Sequence, residues 1–283
     1  MTSVILDGIV LGLAFGLLGV GMTLVYGLGG VINLAYGQFV VLGAIVTSLV
    51  MEDGVSTVVA ATAGVLAAAG ATVLLDLTLM RPVYRQHGED RILLGLLLTL
   101  GVAFVLLGLL TWRYPAGALY INITGEPVSI LGVPMARGSI WASVIALAVA
   151  AILLLFFGAT TFGRGVRSVI QDEVGARLVG INPSFVRTVV FALSGALAGI
   201  VAIASAMSGP LTVNAGFELT TFALIVTVVG GLGSVAGAFL AGVLLGVVNT
   251  LSAHYIGQYV TSVILLAVAA LTILVRPRGL LGR

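Results

Sequence analysis

The sequence predicts an all-α fold: a polytopic helical membrane protein of about eight or nine transmembrane segments, some of them short or broken. Of its 283 residues, 60% are hydrophobic and only 8% are charged, whereas a soluble domain carries about 25% charged residues. Apolar runs of about 18 residues or more, long enough to cross a bilayer as helices, recur along the chain. Glycine accounts for 39 residues, and such small residues let helices pack closely in lipid. We expect one transmembrane domain over residues 1–283.

The residue types that the chain lacks exclude several kinds of site. It has no cysteine, so disulfides and thiolate metal sites are impossible. All 12 basic residues are arginine, and a chain without lysine cannot form a P-loop, whose phosphate contacts need the lysine of GxxxxGK[ST]. Whatever this protein does with ATP, we therefore expect that it does not bind it through that motif. No nucleic-acid partner is expected.

The first span begins close to the amino terminus and ends in an unusual break. MTSVILDGIVLGLAFGLLGVGMTLVYG has no basic region ahead of its apolar run and is too long for a signal peptide. The run stops at Gly29-Gly30-Val31-Ile32-Asn33 and then resumes as a second span to Val50. An asparagine between apolar segments predicts a broken helix, which is tolerated where protein or a cavity covers it. A plain turn between two spans is the alternative.

The remaining spans follow in order and are separated by polar stretches. The apolar stretches that we assign to them are 58–79, 92–110, 140–157, 189–207, 220–229, 239–251 and 260–275. The stretch 220–229 is too short to cross alone unless it is buried or tilted. Residues 111–138 are rich in glycine and proline, and the aromatic residues near their start suit a membrane interface.

Residues 159–187 form the longest polar interval and hold six of the 22 charged residues. The apolar residues of this loop recur every three or four positions, which predicts one face of a helix: Val166, Val169, Ile170, Val174, Leu178 and Ile181. Gly180 and the pair Asn182-Pro183 predict the end of that helix. Such a helix can lie on the membrane, press its apolar face into a soluble partner, or remain solvated.

The arginines predict how the chain is oriented in the membrane. Ten of the twelve lie in residues 80–91, in residues 159–187 and in the tail from residue 276. Because cytoplasmic loops are enriched in basic residues, we expect these three regions in the cytoplasm and residues 111–138 outside. This orientation places the amino terminus outside and the carboxyl terminus in the cytoplasm after about nine crossings.

Two glycine-rich segments resemble each other weakly: GLGGVINLAYGQFVVLGA from residue 27 and VVGGLGSVAGAFLAGVLL from residue 228. Paired interrupted helices of this kind often line the path of a transporter. On this ground the candidate path-lining residues are Asn33, Gly37, Gly230, Gly231, Gly233 and Ser234. Close helix packing, or a chance similarity between glycine-rich helices, explains the same pattern.

Ionisable residues near the apolar segments are few. We expect Asp76 to snorkel to the membrane face or to pair with Arg81 or Arg85, rather than to act in a transport pathway. We expect Glu218 to lie in a solvated outer loop, and a docking or gate residue is the alternative. An ion-coupled secondary transporter or channel usually keeps several ionisable groups in mid-membrane. Because the span interiors contain essentially none, the sequence disfavours that class.

The central loop resembles the cytoplasmic loop of LivH-type permease subunits of branched-chain amino acid ABC transporters. The motifs that carry this resemblance are GRGVRSVIQD at 163–172 and ARLVGIN at 176–182. Further matches occur in order along the chain: GLGGVINLAYG from 27, Asp76 with Arg81-Pro82, Thr99-Leu100-Gly101, GGLGSVAGA at 230–238, and RPRGLLG from 276. The chain departs from the family where Tyr36 and Gln38 replace the usual histidine and glutamate, and where Val174-Gly175-Ala176 replaces a common Glu-Ala-Ala.

The resemblance implies a transport subunit rather than an enzyme, in a bacterial cytoplasmic (inner) membrane. It also implies that this chain has no catalytic residue, metal or cofactor of its own and that partner subunits use the ATP. Such permeases pair with a homologous LivM-like permease, are driven by two ABC ATPase subunits, and receive substrate from an extracytoplasmic binding protein. The substrates would be branched-chain or other hydrophobic amino acids; urea, short amides or a sugar are the alternative, because relatives share the scaffold. The helix near 164–181 would be the coupling helix seated in an ATPase subunit, and its expected contact residues are Val169, Ile170, Asp172, Val174, Arg177, Leu178 and Gly180.

Overall fold

The computed structural model describes residues 1–86, 88–115, 117–121, 123, 126–130, 132–276 and 279–281. Its α-helices are α1 (Thr2–Gly29), α2 (Tyr36–Glu52), α3 (Thr57–Leu75), α4 (Arg81–Val83), α5 (Gly88–Arg113), α6 (Arg137–Ala159), α7 (Thr161–Gln171), α8 (Glu173–Leu178), α9 (Pro183–Ser208), α10 (Gly216–Gly230), α11 (Val235–Ile256) and α12 (Gln258–Val275). A π-helical segment, Asp76–Met80, joins α3 to α4, and a 3₁₀ turn, Val213–Ala215, leads into α10. The short strands are β1 (Ala118–Leu119), β2 (Val128–Ile130), β3 (Val133–Met135) and β4 (Leu211–Thr212).

Most of these helices are long and apolar enough to cross a membrane. In the described part of the chain there are eight such segments: α1, α3 continued through α4, α5, α6, α9, α10 with its preceding turn, α11 and α12. Helix α2 is apolar but shorter, with 17 residues. The prediction of a polytopic helical membrane protein with eight or nine segments, some of them short, is therefore confirmed.

The helical bundle has two distinct ends. One end holds the connection between α4 and α5, the helices α7 and α8, and Arg276 after α12; we call it the arginine-rich end. The other end holds the turn between α2 and α3 and the four strands, and we call it the strand end. Strand β1 pairs with β4, and β2 pairs with β3, both antiparallel. The pairing of β1 with β4 ties the segment after α5 to the segment after α9.

Helices α1 and α9 form the centre of the bundle, and α5 and α12 lie at its edge. About three quarters of the most apolar window of α1 is buried (78%), and 67% of that of α9, against 17% in both α5 and α12. The outer helices are apolar on their exposed faces as well, because the solvent around them is lipid and requires no polar face.

Helices α1 and α11 pack antiparallel at very close range. A Cβ atom on Gly12 would lie 2.7 Å from the Cα atom of Val243, nearer than real Cβ atoms approach. On the opposite helix, Cβ atoms on Gly242 and Gly246 would collide with the backbone of α1. This contact explains part of the high glycine content, because close backbone approach is how membrane helices gain contact area.

The chain between α1 and α2 enters the bundle instead of turning at its end. Helix α1 ends at Gly29, and Gly30 after it has a left-handed φ of 64°. The N–H of Gly30 donates to the carbonyl of Tyr26 at 2.7 Å. Val31 and Asn33 are each 2% exposed. Helix α2 therefore starts inside the bundle and runs to the strand end. This is the broken helix that the sequence predicts, and the alternative of a plain turn is wrong.

Helix α10 also starts inside the bundle, and its first turn meets the first turn of α2. A Cβ atom on Gly37 would overlap the carbonyl oxygen of Gly216. The glycines around residues 230–234 instead form a tight turn at the arginine-rich end, where Gly231 and Gly233 have φ values of 107° and 92°. The structural counterpart of the α2 break is thus the start of α10 and not the segment that resembles it in sequence.

Candidate functional site

The polar loop 159–187 folds into two helices rather than the single helix that the sequence predicts. Asp172, between α7 and α8, has extended backbone angles (φ −153°, ψ 106°). Its carboxylate accepts a hydrogen bond from the N–H of Val174 at 2.9 Å and caps α8. Aspartate favours such a cap because its short side chain competes for backbone N–H groups. The spacing of the apolar residues alone does not predict this break.

The break divides the predicted apolar stripe into a buried and an exposed part. Val166 and Val169 of α7 are each 4% exposed and belong to the hydrophobic core. The prediction that Val169 contacts a partner is therefore wrong in this structure; it supports the loop from inside. Ile170 is 44% exposed and lines a cavity of about 390 Å³ between the loop and the end of α1. Val174 and Leu178 of α8 point away from the bundle.

Four large apolar side chains are well exposed on α8 and just after it. We call them the loop patch, with exposed fractions of 66%, 84%, 75% and 62%: Val174, Leu178, Val179 and Phe185. Sequence reasoning missed Val179 and Phe185, because neither continues the helical spacing. The signal that could have found them is a run of large apolar residues on both sides of the turn Gly180-Ile181-Asn182-Pro183. Exposed apolar side chains clustered in a polar loop indicate a contact surface.

The other residues predicted for the contact lie on the same surface. Asp172, Arg177 and Gly180 are all exposed. Gly180 has a φ of 84°, which ends the loop helix in the left-handed conformation that glycine adopts without strain. Helix α9 then begins at Pro183, capped by the Asn182 side chain, so the predicted end of the loop helix is confirmed.

A cluster of charged and aromatic side chains attaches α8 to the bundle; we call Tyr84, Arg91, Glu173 and Arg187 the anchor cluster. The Glu173 carboxylate binds Arg177 at 2.6 Å and also binds Arg187, in the first turns of α9. The Arg187 guanidinium is buried and lies 4.3 Å from the centre of the Tyr84 ring, and that of Arg91 lies 5.0 Å from it.

The aromatic ring at the centre of this cluster is held in its neutral form. Burial raises the pKa of the Tyr84 hydroxyl above its ordinary value, so the ring offers its π-face to both guanidinium groups as a neutral phenol. Through these contacts α8 is joined to the start of α9 and to the connection between α4 and α5.

Asp76 lies beside this cluster, and its predicted pairing is wrong. The carboxylate is 2% exposed and accepts a hydrogen bond from the hydroxyl of Thr188 at 2.6 Å. Neither Arg81 nor Arg85 pairs with it; the ion pairs within the described ranges are those of Glu173. The bond between Asp76 and Thr188 ties the end of α3 to α9, one residue after Arg187.

The junction of α2 and α10 is held by two threonine side chains, one from α5 and one from α10 itself. The Thr99 hydroxyl of α5 accepts from the N–H of Leu34 at 3.2 Å. The Thr220 hydroxyl of α10 accepts from the N–H of Gly37 at 2.9 Å. Irregular backbone inside a membrane protein requires such partners, because lipid offers none. The Asn33 side chain supplies another by accepting from the N–H of Ala35 at 3.1 Å.

Asn33 and Gly37 are therefore enclosed by protein in this protomer. Asn33 Nδ2 and both amide atoms of Gln38 have no hydrogen-bond partner among the described residues. Buried amides without partners are uncommon, and they mark this junction as a polar point in an apolar bundle. That Asn33 and Gly37 line a transport path stays a prediction.

The remaining candidate path residues lie at the arginine-rich end. The N–H groups of Leu280 and Leu281 donate to the carbonyls of Val229 and Gly230 at 2.9 and 3.2 Å, so the chain after α12 covers the end of α10. Gly230 and Gly231 are buried there, whereas Gly233 is exposed and Ser234 is half-buried. Ser234 caps α11 by accepting from the N–H of Gly237 at 3.1 Å. Their role in a path also stays a prediction.

Glu218 lies deeper in the membrane than the sequence predicts. It is in the first turn of α10, two residues after Gly216, which contacts Gln38. From Gln38, α2 rises about 21 Å to its end at Glu52, and from Glu218, α10 runs about 18 Å to Gly230. Together these lengths match the ~40–45 Å thickness of a whole bilayer. Glu218 therefore lies near mid-membrane, and the prediction of a solvated outer loop is wrong.

The exposure of Glu218 at this depth is energetically unusual. A carboxylate in the first turn of a helix gains about 0.3–1 kcal/mol from the helix dipole. Placing a charged side chain at the centre of the bilayer costs about 2.5–3.5 kcal/mol. Because the cost exceeds the gain, the face of α10 that carries Glu218 is not a lipid-facing surface.

Comparisons with known proteins agree with one another. A protein-family model for the permease component of the branched-chain amino acid transport system matches residues 4–275. The high-affinity branched-chain amino acid transport system permease protein BraD of Pseudomonas aeruginosa is 28% identical over 291 residues, which cover 99% of this chain and 95% of BraD. The corresponding permease protein LivH of Escherichia coli is 26% identical over 294 residues, which cover 98% of this chain and 94% of LivH.

A solved structure shares the fold. PsaBC from Streptococcus pneumoniae, in complex with Fab, is similar with a TM-score of 0.50 at 14% sequence identity. The match covers 96% of this chain and 91% of the other chain. At this level of identity the likeness concerns the arrangement of helices alone.

Proposed function

The chain belongs to the family of branched-chain amino acid transport system permease components, and from this premise we propose how it works within an ATP-driven ABC importer. In this proposal it is the membrane-spanning subunit, and two separate ABC ATPase subunits hydrolyse the ATP. The sequence supports this division of labour, because the chain has no lysine for a P-loop.

The observation that carries the proposal is the loop patch on a firmly attached loop. Four exposed apolar side chains stand on α8 and the start of α9, while the anchor cluster fixes the same loop to α9 and to the connection between α4 and α5. A surface that binds a soluble subunit and is rigidly attached to membrane helices can transmit a rigid-body movement. The loop patch is thus the proposed contact with an ATPase subunit.

We propose that the arginine-rich end faces the cytoplasm. Eight of the ten arginines within the described residues lie at that end, and Arg113 and Arg137 lie at the strand end. The positive-inside tendency supports this orientation. The amino terminus is then outside, the carboxyl terminus is in the cytoplasm, and the loop patch faces the compartment that contains the ATPases.

The proposed substrates are branched-chain or other hydrophobic amino acids, which an extracytoplasmic binding protein delivers at the strand end. Two relatives that match this chain over nearly its whole length are named for branched-chain amino acid transport, which favours this substrate class over urea, short amides or a sugar. A homologous, LivM-like permease is the proposed partner in the membrane.

Reconstitution tests the proposal directly. The chain is assembled in liposomes with the proposed second permease, ABC ATPase subunits and binding protein, and uptake of labelled leucine is measured. We expect uptake only when ATP is present on the side of the membrane that carries the ATPase subunits and the binding protein is also present. The same liposomes lacking only the ATPase subunits are the control, and leucine uptake that persists in them would exclude an ATP-driven importer.

The competing function is ion-coupled secondary transport. The position of Glu218 gives that class one mid-membrane carboxylate, although several are usual. Liposomes that contain this chain alone and carry a proton or sodium gradient separate the two functions. Solute accumulation under these conditions would favour the secondary transporter, and we expect none.

A further inference from the structure

Helix α10 presents a polar stripe on a face that the rest of the protomer leaves open. Asn214, Glu218 and Thr221 are all exposed and follow one another at helical spacing. The opposite face of α10 is packed against α1, α2 and α11. The exposed stripe therefore runs from the 3₁₀ turn after β4, which holds Asn214, along the first turns of α10, where Glu218 lies near mid-membrane.

An aromatic pair stands next to the carboxylate. Phe217 of α10 and Phe104 of α5 have ring centroids 5.2 Å apart. Phe104 belongs to the exposed face of α5, where it is 57% exposed, and a Cβ on Gly101, one turn away, would meet no atom within 4 Å. The carboxylate, the rings and the open glycine thus share one side of the bundle.

Lipid cannot cover this stripe, because an acidic side chain at mid-membrane normally faces water or a compensating partner. In the importer that we propose above, the second permease subunit lies in the membrane beside this chain, and substrate has to pass between protein walls. A carboxylate beside an aromatic pair offers an ion-pairing group and an apolar surface together. A hydrophobic amino acid carries the two complementary groups, an ammonium and an apolar side chain.

We infer that Glu218 lines the substrate passage and contacts the ammonium group of the amino acid as it crosses. Phe104 and Phe217 contact the side chain of the same substrate. This inference rests on the proposed function and goes beyond it by naming the residue and the chemistry of the contact. The candidate residues from sequence, Asn33 and Gly37, lie behind this face and support it.

Neutralising the carboxylate in the complete transporter tests the contact. With Glu218→Gln we expect the subunits to co-purify normally and binding-protein-stimulated ATP hydrolysis to stay within about twofold, while leucine uptake falls about tenfold or more, because a charge-assisted contact is lost. Glu218→Asp should recover part of the uptake. Glu126→Gln, which neutralises an exposed carboxylate at the strand end, is the matched control and should leave uptake unchanged.

Labelling tests the passage without relying on uptake. The chain has no cysteine, so Glu218→Cys introduces the only thiol of this subunit. A charged, membrane-impermeant methanethiosulfonate should modify it in the assembled transporter, as detected by the mass of this chain, and saturating leucine with binding protein should slow the reaction. Two controls should not react: Ala223→Cys, which is fully buried, and Leu266→Cys, which is 53% exposed on the outer helix α12.

The outcomes separate this inference from the proposed function. A wild-type transporter that takes up no amino acid overturns both. Normal wild-type uptake together with unchanged uptake by Glu218→Gln overturns the inference alone. Loss of subunit co-purification in Glu218→Gln, or no labelling of Glu218→Cys, also overturns it, because Glu218 would then be an ion-pair partner of the second permease rather than part of an aqueous passage.

Discussion

Two arginines that pair with the same carboxylate differ in how far they are buried. Glu173 binds two arginines, of which Arg177 is 61% exposed in its side chain and Arg187 only 6%. An exposed ion pair contributes about 0–1 kcal/mol. Removing one member of a buried pair costs about 3–5 kcal/mol, because the remaining charge loses its compensation. The same carboxylate thus makes one weak and one strong attachment.

This difference predicts unequal effects of the same substitution. Arg187→Gln should lower the free energy of unfolding by up to about 3–5 kcal/mol. Because Glu173 is partly exposed, we expect the loss to lie near the lower end of this range. Arg177→Gln should change it by about 0.5 kcal/mol or less. Thermal unfolding of the two purified variants in detergent measures the difference. Equal melting temperatures would show that the anchor cluster does not hold the loop.

At the scale of helices, two features of α-helix chemistry organise the molecule. Glycine allows α1 and α11 to approach until backbone touches backbone. Capping side chains decide where helices start: Asp172 starts α8, Asn182 starts α9 and Ser234 starts α11. Each cap follows a break that redirects the chain. The positions of these breaks determine which apolar residues are buried and which form the loop patch.

The contact between α1 and α11 predicts a strong dependence on glycine. Gly12→Leu should destabilise the protein by about 1–3 kcal/mol or more, since the added atoms would have to displace the backbone of α11. Gly101→Leu adds the same atoms where no atom lies within 4 Å, and its effect should be within about 0.5 kcal/mol. Melting temperature and the yield of monodisperse protein report both effects, and similar losses in the two variants would contradict the close contact.

The loop patch predicts a loss of coupling without a loss of folding. Because Val174 and Leu178 are exposed, Val174→Asp with Leu178→Asp should leave expression and melting temperature unchanged. Docking would bury the new charges at a cost of several kcal/mol, so ATPase co-purification and transport should collapse. Ser168→Asp with Gln171→Asp adds the same charge to α7, outside the patch, and should matter much less. A doubly charged patch that still transports like the parent would refute the coupling role.

On the scale of the whole molecule, the two ends of the bundle differ in both charge and structure. Eight of the ten arginines in the described part of the chain lie at one end, together with two loop helices and the anchor cluster. The paired strands lie at the other end. Helices α2 and α10 start between the ends and meet near mid-membrane. The molecule therefore has a charged end suited to a soluble partner and a polar point between the two ends.

The orientation that follows from this asymmetry is testable with fused reporters. A fluorescent protein that folds only in the cytoplasm should be active when fused after Arg85, and alkaline phosphatase, which is active only outside, should be inactive there. Near Gly117 the pattern should be reversed. The reporters exchanged between the two sites provide the control, and activities in the opposite compartments would overturn the orientation.

The sequence by itself determined the class of protein, the approximate number of spans, the break after α1 and the family. These properties depend on local composition and on the order of motifs along the chain. They are easier to predict in a membrane protein, because each span must be apolar and each backbone polar group must find a hydrogen-bond partner. The end of the loop helix at Gly180 and Pro183 was likewise predictable, since its signal lies in adjacent residues.

Only the tertiary structure decided which of these residues face a partner. Val169 and Val174 belong to the same apolar periodicity, and the cap at Asp172 sends one inward and the other outward. Because Glu218 precedes a short apolar segment, the sequence predicts a loop residue. The contact between Gly37 and Gly216 instead places it near mid-membrane. Asp76 bonds Thr188 rather than a neighbouring arginine. Some of these positions are set by contacts between segments that are far apart in sequence. Others depend on a side chain that competes for backbone hydrogen bonds, and hydrophobic spacing does not predict that competition.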